Sequence, residues 1–349
     1  MSLALVASGP SLRSRRMSSL LALATAAMAV AVTVLIFAIT PFAGTAEFVL
    51  VALVLVVAAV AGLSWRTEGR RRAVNRLVSL GALLSFGVAL IPLVAVLGYT
   101  ISRGLKRLSL NFLTHSMAGI GTLDAGGGVY HAIIGTLEQV GLASLMAIPL
   151  GLLVSIYITE YGRGRLSTAL RFFIDVMTGV PSIVAGLFIF AFWVLALHRG
   201  FSGFAASMSL AILMLPVVVR TAEEMIRLVP DDLREASYAL GVPKWRTIVS
   251  IVLPTALTGI TTGVLLAVAR VTGETAPLLL TASGLDFIHM NPFSGQQSAL
   301  PLFVFQQTQS AFNVAIDRAW AGALTLILIV VALYVAARLL TRRNMLIRR

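Results

Sequence analysis

Cysteine is absent from the 349 residues. That removes disulfides, thiolate metal sites and cysteine nucleophiles together. The four histidines, His115, His131, His198 and His289, are scattered without the spacing of metal ligands, so no metal site is expected. Charged residues make up only 12% of the chain, against about 25% in an ordinary soluble domain. Lysine occurs twice, at Lys106 and Lys244, and neither belongs to a G-x-x-x-x-G-K-[ST] phosphate loop. The chain is therefore expected to hydrolyse no ATP and to carry no cofactor of its own. No internal repeat and no coiled-coil heptad is present.

What fills the chain is apolar: 58% of its residues are hydrophobic. Such a chain cannot cover its own surface in water, so the bilayer is its solvent. A spanning helix needs about 20 mainly apolar residues. Eight runs qualify, at 18–40, 46–64, 77–100, 132–158, 172–197, 202–219, 248–270 and 319–340. The first is too long for an ordinary signal sequence and is followed almost at once by a second, so 18–64 is expected to be an uncleaved hairpin. The composition predicts an all-α integral membrane protein in two parts. Residues 1–76 are an N-terminal hairpin with the basic linker WRTEGRRR, and 77–349 are the core.

The formal net charge of +13 would suggest nucleic acid in a soluble protein. Here the basic residues sit at the ends of apolar runs, which points to membrane topology and anionic lipid rather than nucleic acid. With both termini in the cytoplasm, the inner segments 1–17, 65–76, 159–171, 220–247 and 338–349 hold 21 of the 27 Lys and Arg. The outer segments hold Arg103, Lys106, Arg107, Arg199 and Arg318, and Arg270 lies at the edge of a span. The asymmetry favours this orientation, with the cluster SRGLKR as its one exception. Asp175 and Glu138, inside apolar runs, are expected to pair with a local arginine or to lie near an interface rather than to bind an anion.

The longest inner segment, 220–247, has a local grammar. Asp231 and Asp232 follow Pro230 and suit the start of a helix. Gly241 can end that helix, and Pro243 suits the first position of a second one. Leu233, Ala236, Tyr238 and Leu240 are expected to supply its packing contacts while its charged residues face water. Glu235 and Ala236 lead, Gly241 follows six residues after Glu235, and nine residues later comes Ile251-x-Leu253-Pro254. This spacing resembles the E-A-A-x-x-x-G…I-x-L-P loop of ABC importer permeases. Ser237 stands where the second alanine is usual.

Further segments, GVPSIVAGLF at 179–188, LPVVVRTAEEM at 215–225 and ARVTGETAPLLLTA at 269–282, resemble the A-type permease of the phosphate-specific transport system. The resemblance covers roughly 77–340. It implies a type I ABC importer transmembrane domain: a six-helix core, here with the extra hairpin, in the bacterial plasma membrane. It implies a second, C-type permease as heterodimer partner, two ATPase subunits that bind ATP and Mg, and an extracytoplasmic phosphate-binding protein. Glu235, Ala236, Gly241, Leu253 and Pro254 would contact the ATPase.

For the anion itself, Arg270, Glu274 and Arg220 are the candidates. Arg270 ends an apolar run, where a cation is costly, and its fork of donors suits an oxyanion. Glu274 at i+4 could pair with it on a continuous helix, and Arg220 stands before Glu223 and Glu224. Pro181 and Pro277 should bend or break their helices and are candidates for gating. Importers of sulfate or molybdate remain alternatives. A secondary transporter would not need the Glu235–Pro254 pattern, and a membrane enzyme would need a catalytic cluster that the chain lacks.

Overall fold

In hydrocarbon no water serves backbone N–H and C=O groups, so a spanning chain pairs them within helices. The structure, a computed structural model, describes residues 18–39, 44–121 and 123–347. Two compact units divide at Leu97 and Gly98, inside the third long helix rather than at the 76/77 boundary read from composition.

The first unit holds α1 (Ser19–Ile39), α2 (Thr45–Glu68) and the first part of α3 (Arg70–Arg107). Phe37 and Phe48 join α1 to α2 edge to face, with ring centroids 5.2 Å apart. The basic stretch WRTEGRRR is helical except at Gly69, with its first four residues ending α2 and its arginines from Arg70 opening α3. Arginine is a good helix former, and Arg76 folds back onto Glu68 at 3.0 Å.

The second unit continues from α3 through α4 (Leu110–Thr114) and α5 (Tyr130–Ile156) to α6 (Arg165–Thr178), α7 (Ser182–Ile189) and α8 (Gly203–Arg227). It goes on through α9 (Asp231–Ala239), α10 (Lys244–Thr247), α11 (Leu253–Thr272), α12 (Ala276–Thr281), α13 (Leu300–Thr308) and α14 (Asn313–Ile347). Wide π turns extend three of these helices, at Tyr157–Tyr161, Phe190–Ala196 and Ile248–Val252. Helix α8 is the hub. Its Ala206, Leu210, Met214 and Val218 interlock with Val140, Ala143 and Ala147 of α5 and with Ala267 and Val271 of α11. The small side chains let the backbones approach, which is how helices gain contact when lipid is as apolar as the core.

Among the described residues, seven helices are long and apolar enough to cross a membrane, or eight if α6 and Ser182–Ala196 make one span. The run at 172–197 is not one straight helix; its halves are bent by 106°. Pro181 explains the break. It donates no N–H, and it biases Val180 away from helical angles. The pair still crosses the full length of α8. Arg171 meets Glu223 at one end (2.5 Å), and Trp193 lies 5.3 Å from Phe204 at the other. It is a broken span rather than a re-entrant loop.

The second half of that span lies against α12. A Cβ built on Gly186 would stand 2.6 Å from the Pro277 Cα. Gly186→Val therefore overpacks this contact at a cost of about 1–3 kcal/mol, and a lowered melting temperature of the purified protein is the expected result.

At the end of the bundle opposite Arg227, the segment between α12 and α13 dips inward. The Gln139 side chain donates to Gln297 Oε1 (3.0 Å) and to the Ser298 carbonyl (3.2 Å), and Gln297 donates to Glu138. Glu138 thus meets an amide rather than an arginine. Arg318 is buried and donates to the Asp124 carbonyl, and Arg107 to those of Ala125 and Gly126. Two of the basic residues that weaken the charge asymmetry are thus anchors for loop carbonyls. Asp286, near Arg318, has its carboxyl raised above the usual range by burial, against the opposing pull of that arginine.

Candidate functional site

The segment after α8 folds as its grammar predicts. Asp231 and Asp232 occupy the first turn of α9 after Pro230. The helix stops where Gly241 takes φ +75°, an angle at which a Cβ would be strained. The Gly241 N–H donates to the Tyr238 carbonyl (2.9 Å), and that of Val242 to the Ser237 carbonyl (3.2 Å). Pro243 caps α10 rather than opening it. Through the π turn at Ile248–Val252 the chain enters α11, with Pro254 in its first turn. The two short helices form an elbow.

Asp231, Asp232 and Glu235 face water as expected, but the apolar residues do not turn inward. Leu233, Tyr238 and Leu240 are 42%, 41% and 83% exposed, with Trp245 at 57%. Ala236 and Glu235 are also exposed. The inward face carries Arg234 and Ser237 instead. Ser237 is buried and its hydroxyl lies 2.8 Å from that of Thr247 on the facing helix. An alanine at 237 could not make this bond, so the departure from the usual pattern has a structural use.

Arg234 is the centre of the inward face. Its guanidinium donates to Glu160 Oε1 (3.0 and 3.1 Å), to Asp231 (3.1 Å) and to the carbonyls of Ile226 (3.0 Å) and Val229 (2.5 Å). The Arg234 and Glu160 side chains are 12% and 6% exposed. Lys244 donates to the Glu160 carbonyl and stands over the Tyr161 ring. Both short helices are thus fastened to the π turn that ends α5. An open cleft of ≈ 590 Å³ lies beside them, walled in part by Arg163, Arg227 and Tyr238.

A second charge cluster lies where α6 meets the last turns of α8. Glu223, 4% exposed, accepts from Arg171 (2.5 Å), Arg227 (2.5 Å) and Arg220 (3.3 Å). Arg220 also pairs with Asp175 of α6. Arg220 and Asp175 are therefore partners, as local pairing predicts for the aspartate.

Arg270 and Glu274 are not partners. Helix α11 ends at Thr272 with Gly273 as its cap, so the i,i+4 geometry assumed from sequence does not exist. Arg270 is exposed, Glu274 is half-buried on the following turn, and no ion pair joins them among the described residues. Thr221 packs beside Gly263. Seven residues separate Gly263 from Arg270, so Arg270 lies about 10 Å further along the bundle than Arg220.

Pro277 stands in the first turn of α12, beyond the break. No metal-binding cluster of His, Asp or Glu occurs among the described residues. Sequence reasoning missed Glu160, Arg171 and Arg234. The Glu160–Arg234 bond joins residues 74 apart, and only Arg234's place inside the motif hinted at its role.

The chain as a whole is similar in sequence to known proteins. The family model described as binding-protein-dependent transport system inner membrane component matches residues 147–345. Phosphate transport system permease protein PstA 1 of Mycobacterium tuberculosis (strain ATCC 25618 / H37Rv) is 48% identical over 280 residues, 79% of this chain and 91% of that protein. PstA of Mycobacterium leprae (strain TN) is 46% identical over 262 residues, 75% of this chain and 86% of its own length. PstA of Yersinia pestis is 40% identical over 276 residues, 79% and 92% of the two chains.

Proposed function

We propose, from the premise that this chain belongs to the family of binding-protein-dependent transport system inner membrane components, that it is the permease subunit of an ATP-driven importer of inorganic phosphate. The observation that carries this reading is the 48% identity over 280 residues with a phosphate permease. The elbow supports it. A rigid pair of short helices holds exposed Glu235, Tyr238, Leu240 and Trp245 outward, a surface suited to the groove of a separate ATPase subunit.

The remaining assignments follow from that reading. ATP and Mg belong to two ATPase subunits, a second permease completes the path as a heterodimer, and an exported binding protein delivers phosphate. Glu235, Ala236 and Gly241 serve the ATPase contact, with Leu253 and Pro254 setting the start of α11. Both termini are cytoplasmic, which places the elbow on the ATP side of the membrane. Arg220, Arg270 and Glu274 lie along the anion's path. The bend at Pro181 and the break before Pro277 give that path two jointed helices, in contact through Gly186.

Reconstituted complex should take up labelled phosphate when ATP is inside with the ATPase. Excess unlabelled phosphate should suppress the signal, and sulfate or molybdate should not. Competition by either of those anions at equal strength would reassign the substrate. Arg270→Gln should lower uptake about 10- to 100-fold, the loss expected when one charged hydrogen bond to an anion is removed. Wild-type uptake at equal protein abundance would take Arg270 out of the path.

A further inference from the structure

Arg171 is more than one of three cations around a carboxylate. Its guanidinium spans three elements: it is rooted in α6, donates to Glu223 of α8 (2.5 Å) and donates to the Ile158 carbonyl (3.2 Å) in the π turn ending α5. The last carbonyls of a helix have no partner within it, so Ile158 and Glu160 offer free acceptors there. Arg171 takes the first and Lys244 of the elbow takes the second. The Glu160 carboxylate takes Arg234 of the elbow as well. One five-residue turn thus receives both helices of the elbow and Arg171, which wall the same cleft.

Beyond Arg171 the connection runs to moving parts. Helix α6 is a short lever, joined at a 106° bend to the rest of its span. Its Asp175 holds Arg220, and Glu223 holds Arg220, Arg171 and Arg227 together. Charge balance does not require Arg171, because Glu223 keeps two other arginines without it. Of the three arginines on Glu223, Arg171 is the one whose planar fork also grips a carbonyl of the α5 turn.

We propose that Arg171 is a positioning residue of transport, the link that carries displacement of the elbow through the 157–161 turn to α6 and the Glu223–Arg220 pair. The inference rests on the importer reading above. A lysine at 171 preserves the charge but not the two-way grip, and this separates geometry from electrostatics.

The test uses the complete complex in proteoliposomes, with ATP hydrolysis and labelled phosphate uptake read in the same vesicles. Arg171→Gln and Arg171→Lys should both assemble, and both should lower phosphate moved per ATP about tenfold, within the range that coupling residues reach. An unchanged ratio in either variant would overturn the proposal. So would equal losses of uptake and hydrolysis, which leave the ratio intact. If Arg171→Gln fails to assemble, the ratio measured for Arg171→Lys decides between the same two outcomes.

A second readout does not depend on the substrate. The chain has no native cysteine, so spin labels at Leu166→Cys on α6 and Leu228→Cys after α8 report one distance. That distance should shift on ATP binding in the otherwise native protein and stay fixed in Arg171→Gln. An equal shift in both would sink the proposal. Wild-type vesicles that show the shift but import no phosphate would count against the substrate reading alone.

Discussion

Gly241→Pro abolishes ATP-driven uptake while the spans remain inserted. The elbow turns at Gly241 with φ +75°, and the proline ring holds φ near −65°. The substitution also deletes the N–H that donates to the Tyr238 carbonyl. Together these cost about 3 kcal/mol or more, on the order of a 100-fold loss of the native turn. Helices α9 and α10 then no longer face each other, and the Ser237–Thr247 bond is lost with them. Gly241→Asn is the informative control, since asparagine tolerates left-handed angles through its short polar side chain; it should keep most uptake. The checks are labelled phosphate uptake and co-purification of the ATPase subunit. Full uptake by Gly241→Pro would show that the turn is not the element the ATPase drives.

Arg234→Met has the second large effect, by a different route. It leaves the Glu160 carboxylate, 6% exposed, without its guanidinium, and it strips donors from the carbonyls of Ile226 and Val229. Removing one partner of a buried ion pair costs about 3–5 kcal/mol, most of it the uncompensated charge. The purified protein should melt at a clearly lower temperature, and little of it should retain the ATPase subunit. Arg234→Met combined with Glu160→Met should recover most of the stability, because no charge is then left stranded. The recovered protein should still transport poorly, since the elbow has lost its bond to the α5 turn. A double variant no more stable than the single one would mean that Arg234 acts mainly through the carbonyls.

The spans were legible because their signal is compositional: long apolar runs need no knowledge of partners. The elbow was legible because its parts are local. Asp231, Gly241 and Pro243 act on their own backbone, and the Glu235–Pro254 spacing is written in consecutive residues. The burial of α9 was not legible. The rule that apolar side chains turn inward fails here, since Leu233 and Leu240 are exposed while the inward face is taken by Arg234 and Ser237. Arg234 turned inward because Glu160 waits there, and nothing near residue 234 announces a carboxylate 74 positions earlier. The Arg270–Glu274 pairing failed for a simpler reason: it counted four residues along a helix that Gly273 had already ended. The break at Pro181 was foreseeable in kind, but its 106° angle depends on how α7 packs against α12.

The broken span also bears on how the protein is made. A helix rises about 1.5 Å per residue and a hydrocarbon core is about 30 Å thick. The apolar half, Ser182–Ala196, is too short to cross that core alone. The other half carries Arg165, Arg171 and Asp175, which oppose partition into lipid. Only the continuous apolar run 172–197, both halves together, is long enough to insert. Its one charged residue, Asp175, meets Arg220 of α8, and Arg171 just before the run meets Glu223 of α8. Those partners lie later in the chain, so the segment enters the bilayer on its apolar composition and acquires its ion pairs only once α8 has been made.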